Sequence, residues 1–169
     1  EVFDRIGHDP TLTKRVKDAD LLIAIGPRLG EMTTGGYSLI DIPVPTQTLI
    51  HVHAGIEELG KVYQAQMMIN SGMEQFVEAI REIPKLSTKP WSSWTKSARN
   101  DYLEHIKNRR VGVDLDFGKV IEKLKKVVPQ DTIITNGAGN YTGWIQRYWQ
   151  FSSYPSQLAP TSGAMGYGV

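Results

Sequence analysis

A short apolar run that ends at a glycine constrains the fold of this chain more than any other feature. Leu21–Ile25 contains only leucine, isoleucine and alanine, and Gly26 follows directly. A continuous apolar run of this length is typical of a parallel strand covered on both faces, so we expect a buried strand here. Residues 48–53 and 67–69 repeat the pattern more weakly. Three such runs indicate an α/β fold with an open parallel sheet.

Helix signals lie around these runs. Asp9 and Pro10 suit the N-cap and the first helical position, so we predict a helix over residues 10–19. Ser71 and Glu74 have the spacing of a capping box, which predicts a second helix directly after the third apolar run. A third helix is predicted between an N-cap at Asp116 and a stop at Pro129. Together with a strand predicted at 132–135, this helix begins a second α/β unit.

The character of the sequence changes between residues 84 and 115. Prolines bracket a Lys/Ser/Thr stretch, and the polar, helix-compatible segment 91–110 follows with few apolar anchors. We therefore predict a first α/β domain at 1–85, an interdomain connector at 86–115 and the beginning of a second α/β domain at 116–169. The segment 158–169 is apolar, glycine-rich and uncharged, so we expect the chain to be cut from a longer protein.

Composition narrows the possible partners. A net charge of +1, with no long basic stretch, gives no extended face for nucleic acid. The apolar runs are far shorter than the roughly 20 residues that span a bilayer, so we expect no membrane partner. The chain has no cysteine, which excludes disulfides, thiolate nucleophiles and cysteine-ligated metals and fits a cytoplasmic location.

The segment Asn136–Asn140 contains two glycines and lies between a predicted strand and a predicted helix. Backbone N–H groups at such a turn can receive an anion such as a diphosphate, and glycine lets the anion come close. Asn140 could cap the helix and Tyr141 could add a hydroxyl donor. The alternative is a purely structural tight turn, for which Gly and Asn are also common.

A second glycine segment, Gly163–Gly166, follows after on the order of 25 residues, about what a βαβ return to the same sheet edge requires. The two segments could therefore face one cleft. The alternative for Met165 is an ordinary core position.

Both segments resemble blocks of thiamine diphosphate (ThDP) enzymes of the acetolactate synthase type. Residues 135–144 match the glycines and the tryptophan of one block in order, and residues 161–168 resemble the next block at nearly the same separation. The resemblance implies that the first block holds the ThDP diphosphate through Ala138, Gly139, Asn140 and Tyr141. It implies that the second block holds the aminopyrimidine through Gly163, Ala164 and Met165, with Met165 between the two cofactor rings.

Residues 17–28 and 49–61 are similar to the central domain of the same family, a Rossmann-like sheet that carries FAD or ADP. Gly26 and Arg28 are possible nucleotide contacts, and a salt bridge that closes the strand edge is the alternative role for Arg28. The acidic positions of the flavin pattern are replaced at 29–32 and 53–55, so we expect no FAD. We expect His51 and His53 on opposite faces of their strand, and hence no metal site there.

The resemblance implies an enzyme that decarboxylates and carboligates 2-keto acids, uses ThDP and Mg²⁺, and forms a homodimer or homotetramer. The family's Mg²⁺-binding Gly-Asp-Gly block and its activating glutamate do not occur in this sequence. We therefore expect no catalytic or metal-binding residue in this chain, and no activity from the chain alone. The alternative is a nucleotide-binding or interaction module of Rossmann-like fold without thiamine chemistry.

Overall fold

The computed structural model describes residues 9–107, 115–160 and 165–166. These residues belong to two compact units, of which one ends at Ser93 and the other begins at Trp94. The division lies inside a helix, Ser92–His105. The domain boundaries at residues 85 and 116 remain predictions.

The first unit contains a three-stranded parallel sheet, which confirms the predicted α/β class. Its strands are β1 (Leu21–Ile25), β2 (Thr48–His53) and β3 (Met67–Asn70), and they lie in that spatial order. Ile23 pairs with Ile50, which in turn pairs with Met67. The helices are α1 (Pro10–Lys17), α2 (Met73–Arg81) and α3 (Ser92–His105), which crosses the division between the units.

The helix starts of this unit differ in how they are capped. Asp9 caps α1 as predicted, because its Oδ1 accepts hydrogen bonds from two backbone N–H groups of the first turn at 2.9 and 3.0 Å. The capping box predicted at Ser71 and Glu74 is wrong. Gly72 is the N-cap of α2 and no side chain caps it. The Ser71 hydroxyl instead donates to the carbonyl of Gly72 at 2.9 Å.

Gln47 attaches the end of α1 to the start of β2. Its buried side chain donates from Nε2 to the carbonyl oxygens of Val16 and Lys17, each at 3.1 Å. The last carbonyls of a helix lack partners within the helix, so a side-chain donor from elsewhere in the chain satisfies them. This contact fixes where α1 ends relative to the sheet.

One face of the sheet carries the core of the first unit. Its buried members come from β2 and from the connections after β1 and β2, and they are Leu29, Ile40, Leu49 and Tyr63. Leu22 and Ala24 of β1 pack against this cluster. The side chains of β1 alternate between the two faces of the sheet, so only every second residue of the strand reaches this core.

The opposite face of the sheet is open along β1. Leu21, Ile23 and Ile25 are exposed there, and so is Met67 of β3. The prediction that β1 is covered on both faces is therefore wrong for the described part of the chain. A continuous apolar run indicates that a strand can be buried on both sides, but it contains no information on whether a second layer is present.

The second unit contains a short βαβ arrangement. Its elements are α4 (Phe117–Val127), β4 (Ile134–Thr135), α5 (Thr142–Tyr148) and β5 (Gln157–Leu158). The two strands pair in parallel, with Ile134 beside Gln157 and Thr135 beside Leu158. This confirms the predicted return of the chain to the same sheet edge. The strand predicted at 132–135 is two residues shorter at its start.

Helix α4 is capped by Asp116, as predicted, through a hydrogen bond from the Lys119 N–H to Oδ1 at 3.3 Å. The helix buries Ile121 completely. Lys125 lies one turn further along and donates from Nζ to the carbonyl of Tyr148 at 3.2 Å, which connects α4 to the end of α5. None of the helices within residues 9–107 and 115–160 combines the length and the apolar character that crossing a bilayer requires.

We predict that two leucines of the same sheet differ strongly in their contribution to stability. Leu49 is 1% exposed in the core, whereas Leu21 on the open face is 44% exposed. Leu49→Ala should lower the free energy of unfolding by about 2–5 kcal/mol, because it removes buried methyl groups and leaves a cavity. Leu21→Ala should cost well under half as much. Urea unfolding of both variants measures the difference, and equal losses would show that the outer face is covered after all.

Candidate functional site

The carboxyl ends of β1 and β2 lie side by side and form the first candidate site. Gly26 follows β1 and donates its N–H to the carbonyl of Val52 at 2.8 Å, which extends the pairing by one residue. Its φ of +86° is a conformation that glycine adopts without strain. A Cβ at this position would also come within 3.2 Å of the Met73 sulfur. Glycine is therefore required here by the backbone itself, with or without a nucleotide.

Three charged side chains meet at this edge, and we call them the Glu58 cluster. Arg28 follows β1, and its Nε lies 3.6 Å from Oε2 of Glu58. Glu58 ends the single 3₁₀ turn after β2 (Ile56–Glu58), and its Oε1 lies 3.1 Å from Nζ of Lys61. Arg28 thus makes the salt bridge that was the alternative to a nucleotide contact. The two roles do not exclude each other, because the arginine side chain is 71% exposed.

The cluster favours the ionised form of its carboxyl group. The hydrogen bond from Lys61 is the main cause that lowers the pKa of Glu58 below its usual 4.5, and the charges of Lys61, Arg28 and His53 act in the same direction. Partial burial opposes them. Glu58 is therefore an anion at neutral pH, surrounded by basic groups.

The two histidines of β2 share a face, so the prediction that they point to opposite faces is wrong. Side chains at positions i and i+2 of a strand lie on the same side, and the two rings are 6.1 Å apart. His51 is buried and its Nε2 lies 2.9 Å from the carbonyl oxygen of Pro27. In His53, Nδ1 lies 3.0 Å from the Gly55 nitrogen. Both rings therefore hold the loops that follow β1 and β2.

The second candidate site lies at the carboxyl ends of β4 and β5. Asn136, the first residue after β4, is buried, and its N–H donates to the carbonyl of Leu158 at 3.0 Å. Its Oδ1 accepts a hydrogen bond from Nε2 of Gln157 at 2.8 Å. Both bonds attach the base of the loop after β4 to the neighbouring strand.

The loop 136–141 rises from this buried base to an exposed tip. Ala138 is half-buried, and Gly139, Asn140 and Tyr141 are exposed. The next three N–H groups, those of residues 142–144, already donate to carbonyls within the loop at 3.0–3.2 Å. No hydrogen bond among the described residues engages the N–H groups of residues 138–141. These four backbone N–H groups are thus available for an anion at the edge of the sheet.

Asn140 does not cap α5, contrary to the prediction. Tyr141 is the N-cap, in a helical conformation and without a side-chain cap bond. A Cβ at residue 139 would lie 2.8 Å from Cε1 of the Tyr141 ring, so Gly139 provides the space in which that ring lies. Packing of the Tyr141 ring thus explains a glycine at position 139 even without a bound anion.

The second glycine segment is described only at residues 165 and 166, and the predicted contacts Gly163 and Ala164 lie outside the described residues. Met165 is 88% exposed, so the described part of the chain does not use it as a core residue. Within that part of the chain there is also no group of three or more His, Asp or Glu side chains that could hold a metal ion.

Sequence reasoning missed the residues that fix these two edges. For Glu58 the sequence contains a local signal, because an Ile-Glu-Glu turn directly after a strand places a carboxylate at the sheet edge. Gln157 was also missed, because its partner Asn136 is 21 residues away in the sequence. Pairing of this kind becomes visible only when the register of the two strands is known.

Comparison with known proteins identifies relatives over most of the chain. Residues 3–80 match the family model of the thiamine pyrophosphate enzyme central domain. The acetolactate synthase large subunit of Corynebacterium glutamicum is 32% identical over 89% of this chain and 25% of its own length. The mitochondrial acetolactate synthase catalytic subunit of Saccharomyces cerevisiae is 25% identical over 94% of this chain and 25% of its own length. The chain thus spans about a quarter of the length of these relatives.

We predict that the Glu58 cluster stabilises the first unit in a pH-dependent way. A carboxyl group whose pKa is lowered by folding contributes stability that is fully present above its unfolded pKa and is lost as the pH falls through its folded pKa. Wild-type protein should therefore exceed Glu58→Gln in unfolding midpoint at pH 7, and the difference should decrease as the pH falls below 4.5, the usual pKa of this group, and be lost once the pH is below the lowered pKa.

Urea titrations between pH 7 and pH 3 measure this difference. Lys61→Met is the control background, because it removes the main cause of the lowered pKa. In that background the effect of Glu58→Gln on the unfolding midpoint should depend less on pH. A difference that stays constant down to pH 3 would contradict the role of the ion pairs.

Proposed function

We propose that the chain is part of an acetolactate synthase-like enzyme, a ThDP-dependent 2-keto acid decarboxylase and carboligase, because residues 3–80 match the thiamine pyrophosphate enzyme central domain and its relatives are acetolactate synthases. Because the chain spans about a quarter of its relatives, we assign the activity to a protein in which these residues are joined to the rest of such an enzyme. We propose that residues 1–169 alone are inactive.

One observation carries the cofactor proposal: the N–H groups of residues 138–141 have no partner among the described residues and lie at the carboxyl edge of a parallel strand pair. This is where open α/β sheets bind phosphate groups. We propose that Ala138, Gly139, Asn140 and Tyr141 hold the diphosphate of ThDP. The loop fits this group, since its tip is exposed and its base is fixed.

When bound, ThDP supplies the electron sink that makes cleavage of the bond next to a keto carbonyl possible. The residues of this chain contribute positioning. Gly139 keeps side-chain atoms away from the loop tip, where they would meet the Tyr141 ring. Asn136 and Gln157 act through the loop: their side-chain hydrogen bond holds its base against β5, so that the donors keep their arrangement before the cofactor arrives.

We propose that the segment after β5 contacts the other end of the cofactor. Gly163 would accept a hydrogen bond from the aminopyrimidine through its carbonyl, Ala164 would lie beside it, and Met165 would pack between the two rings. The exposure of Met165 supports this, because an apolar side chain without core contacts is available to pack against a bound group. The ligands of Mg²⁺ would come from parts of the enzyme outside this chain.

At the edge of β1 and β2 we propose a nucleotide contact through Gly26 and Arg28. The replaced acidic positions at 29–32 and 53–55 favour ADP or a similar nucleotide over FAD. This edge alone would also suit the alternative function, a nucleotide-binding module without thiamine chemistry. The match of residues 3–80 to the thiamine pyrophosphate enzyme family favours the enzyme.

We further propose a homodimer or homotetramer, with a 2-keto acid as substrate. The absence of cysteine fits a cytoplasmic location, which we also propose. The yeast relative named above is described as mitochondrial. A location other than the cytoplasm would therefore leave the proposed chemistry unchanged.

The proposed diphosphate loop predicts that Gly139→Ala weakens ThDP binding in the full-length protein. The new Cβ would displace the Tyr141 ring and with it the loop donors. We expect the Kd for ThDP to rise on the order of tenfold, which corresponds to about 1.4 kcal/mol. Isothermal titration calorimetry measures this value. Because the φ of +159° at residue 139 is strained for a residue with a Cβ, the melting temperature of the free variant is measured as well, and calorimetry is done below it, where the variant is folded.

Gly30→Ala is the matched control, since a Cβ there would meet no atom within 4 Å. It should leave ThDP affinity unchanged. If Gly139→Ala binds ThDP as tightly as Gly30→Ala and the wild type, the loop does not hold the diphosphate.

A further inference from the structure

Within the Glu58 cluster the carboxylate is the least exposed member and the two cations are largely exposed. The Glu58 side chain is 12% exposed, against 71% for Arg28 and 54% for Lys61. Its pKa is lowered, chiefly by the hydrogen bond from Lys61, so it keeps its charge at neutral pH. An exposed ion pair is worth little in water, so either cation can leave the carboxylate at small cost.

The contact between Arg28 and Glu58 leaves the arginine free for a better partner. The Nε and Oε2 atoms are 3.6 Å apart, which is longer than a hydrogen bond. The ion pair is therefore loose, without the paired bonds that a guanidinium makes to a well-placed oxyanion. A phosphate group can accept two parallel hydrogen bonds from a guanidinium, and such charge-assisted bonds are about twice as strong as neutral ones.

We propose that Glu58 is a built-in counter-anion of this sheet edge, which a phosphate group of the bound ligand replaces at Arg28. The inference rests on the nucleotide contact proposed above for Arg28. In the free protein Glu58 balances part of the positive charge of Arg28 and Lys61. A phosphorylated ligand has to displace Glu58 from Arg28, and an uncharged ligand of the same shape does not, so Glu58 lowers the affinity of this edge for phosphorylated ligands alone.

The charges of the cluster set the direction of the expected effect. With Glu58 ionised, two cations and one carboxylate leave a net charge of +1. Replacing Glu58 by glutamine raises the net charge to +2 and removes the competitor of the phosphate. For groups this exposed, the gain should be roughly three- to fivefold in affinity.

The experiment is calorimetric titration of the full-length protein with ADP and, separately, with adenosine. Glu58→Gln should bind ADP roughly three- to fivefold more tightly than wild type and adenosine equally well. Glu57→Gln is the control: it removes the same unit of charge from the neighbouring exposed position, for which no ion pair occurs among the described residues. It should leave ADP affinity unchanged. In Arg28→Gln protein most of the gain from Glu58→Gln should disappear.

Three results would overturn the proposal while leaving the nucleotide contact in place. The first is an unchanged ADP affinity of Glu58→Gln. The second is a weaker ADP affinity of Glu58→Gln, which would mean that Glu58 holds Arg28 in position for the ligand. The third is an equal gain in Glu57→Gln, which would mean that the effect comes from the overall charge. If neither the wild type nor any variant binds ADP or adenosine, the nucleotide contact itself is wrong and the proposal fails with it.

Discussion

Parallel pairing of neighbouring strands is the constraint on which both candidate sites depend. In a parallel pair the carboxyl ends lie at the same edge, so the loops that follow the two strands meet there. Between β1 and β2 this brings Arg28 next to Glu58. Between β4 and β5 it brings Asn136, the residue after β4, next to Leu158, the last residue of β5. In an antiparallel pair each of these partners would lie at the opposite end of its strand.

The elements of the sheet were predictable from local sequence. The ranges of β1 and β2 follow from apolar runs bounded by polar residues or glycine, and the start of α1 follows from the chemistry of Asp9 and Pro10. The start of α2 was not predictable in the same way. Ser71 and Glu74 have the right spacing for a capping box, but the Ser71 hydroxyl bonds to the neighbouring carbonyl, an alternative that spacing alone does not reveal.

The candidate sites were only partly predictable, for two physical reasons. Position on a loop could be deduced, as for Gly139, because glycines after a strand are a local signal. Partners far apart in sequence, such as Arg28 and Glu58, depend on register. The shared face of His51 and His53 follows from the period of two along a strand, so strand geometry alone excludes the expected opposite faces. Whether the second face of β1 is covered depends on residues elsewhere in the chain, so no local sequence pattern predicts it.

The central claim is that the loop after β4 receives the diphosphate of ThDP, and a crystal structure of the full-length protein with ThDP and Mg²⁺ tests it most directly. The account predicts diphosphate oxygens within hydrogen-bond distance, about 2.7–3.2 Å, of the backbone nitrogens in residues 138–141. It also predicts the Met165 side chain against the cofactor rings. Diphosphate density at another edge, with these nitrogens facing solvent, would contradict the account.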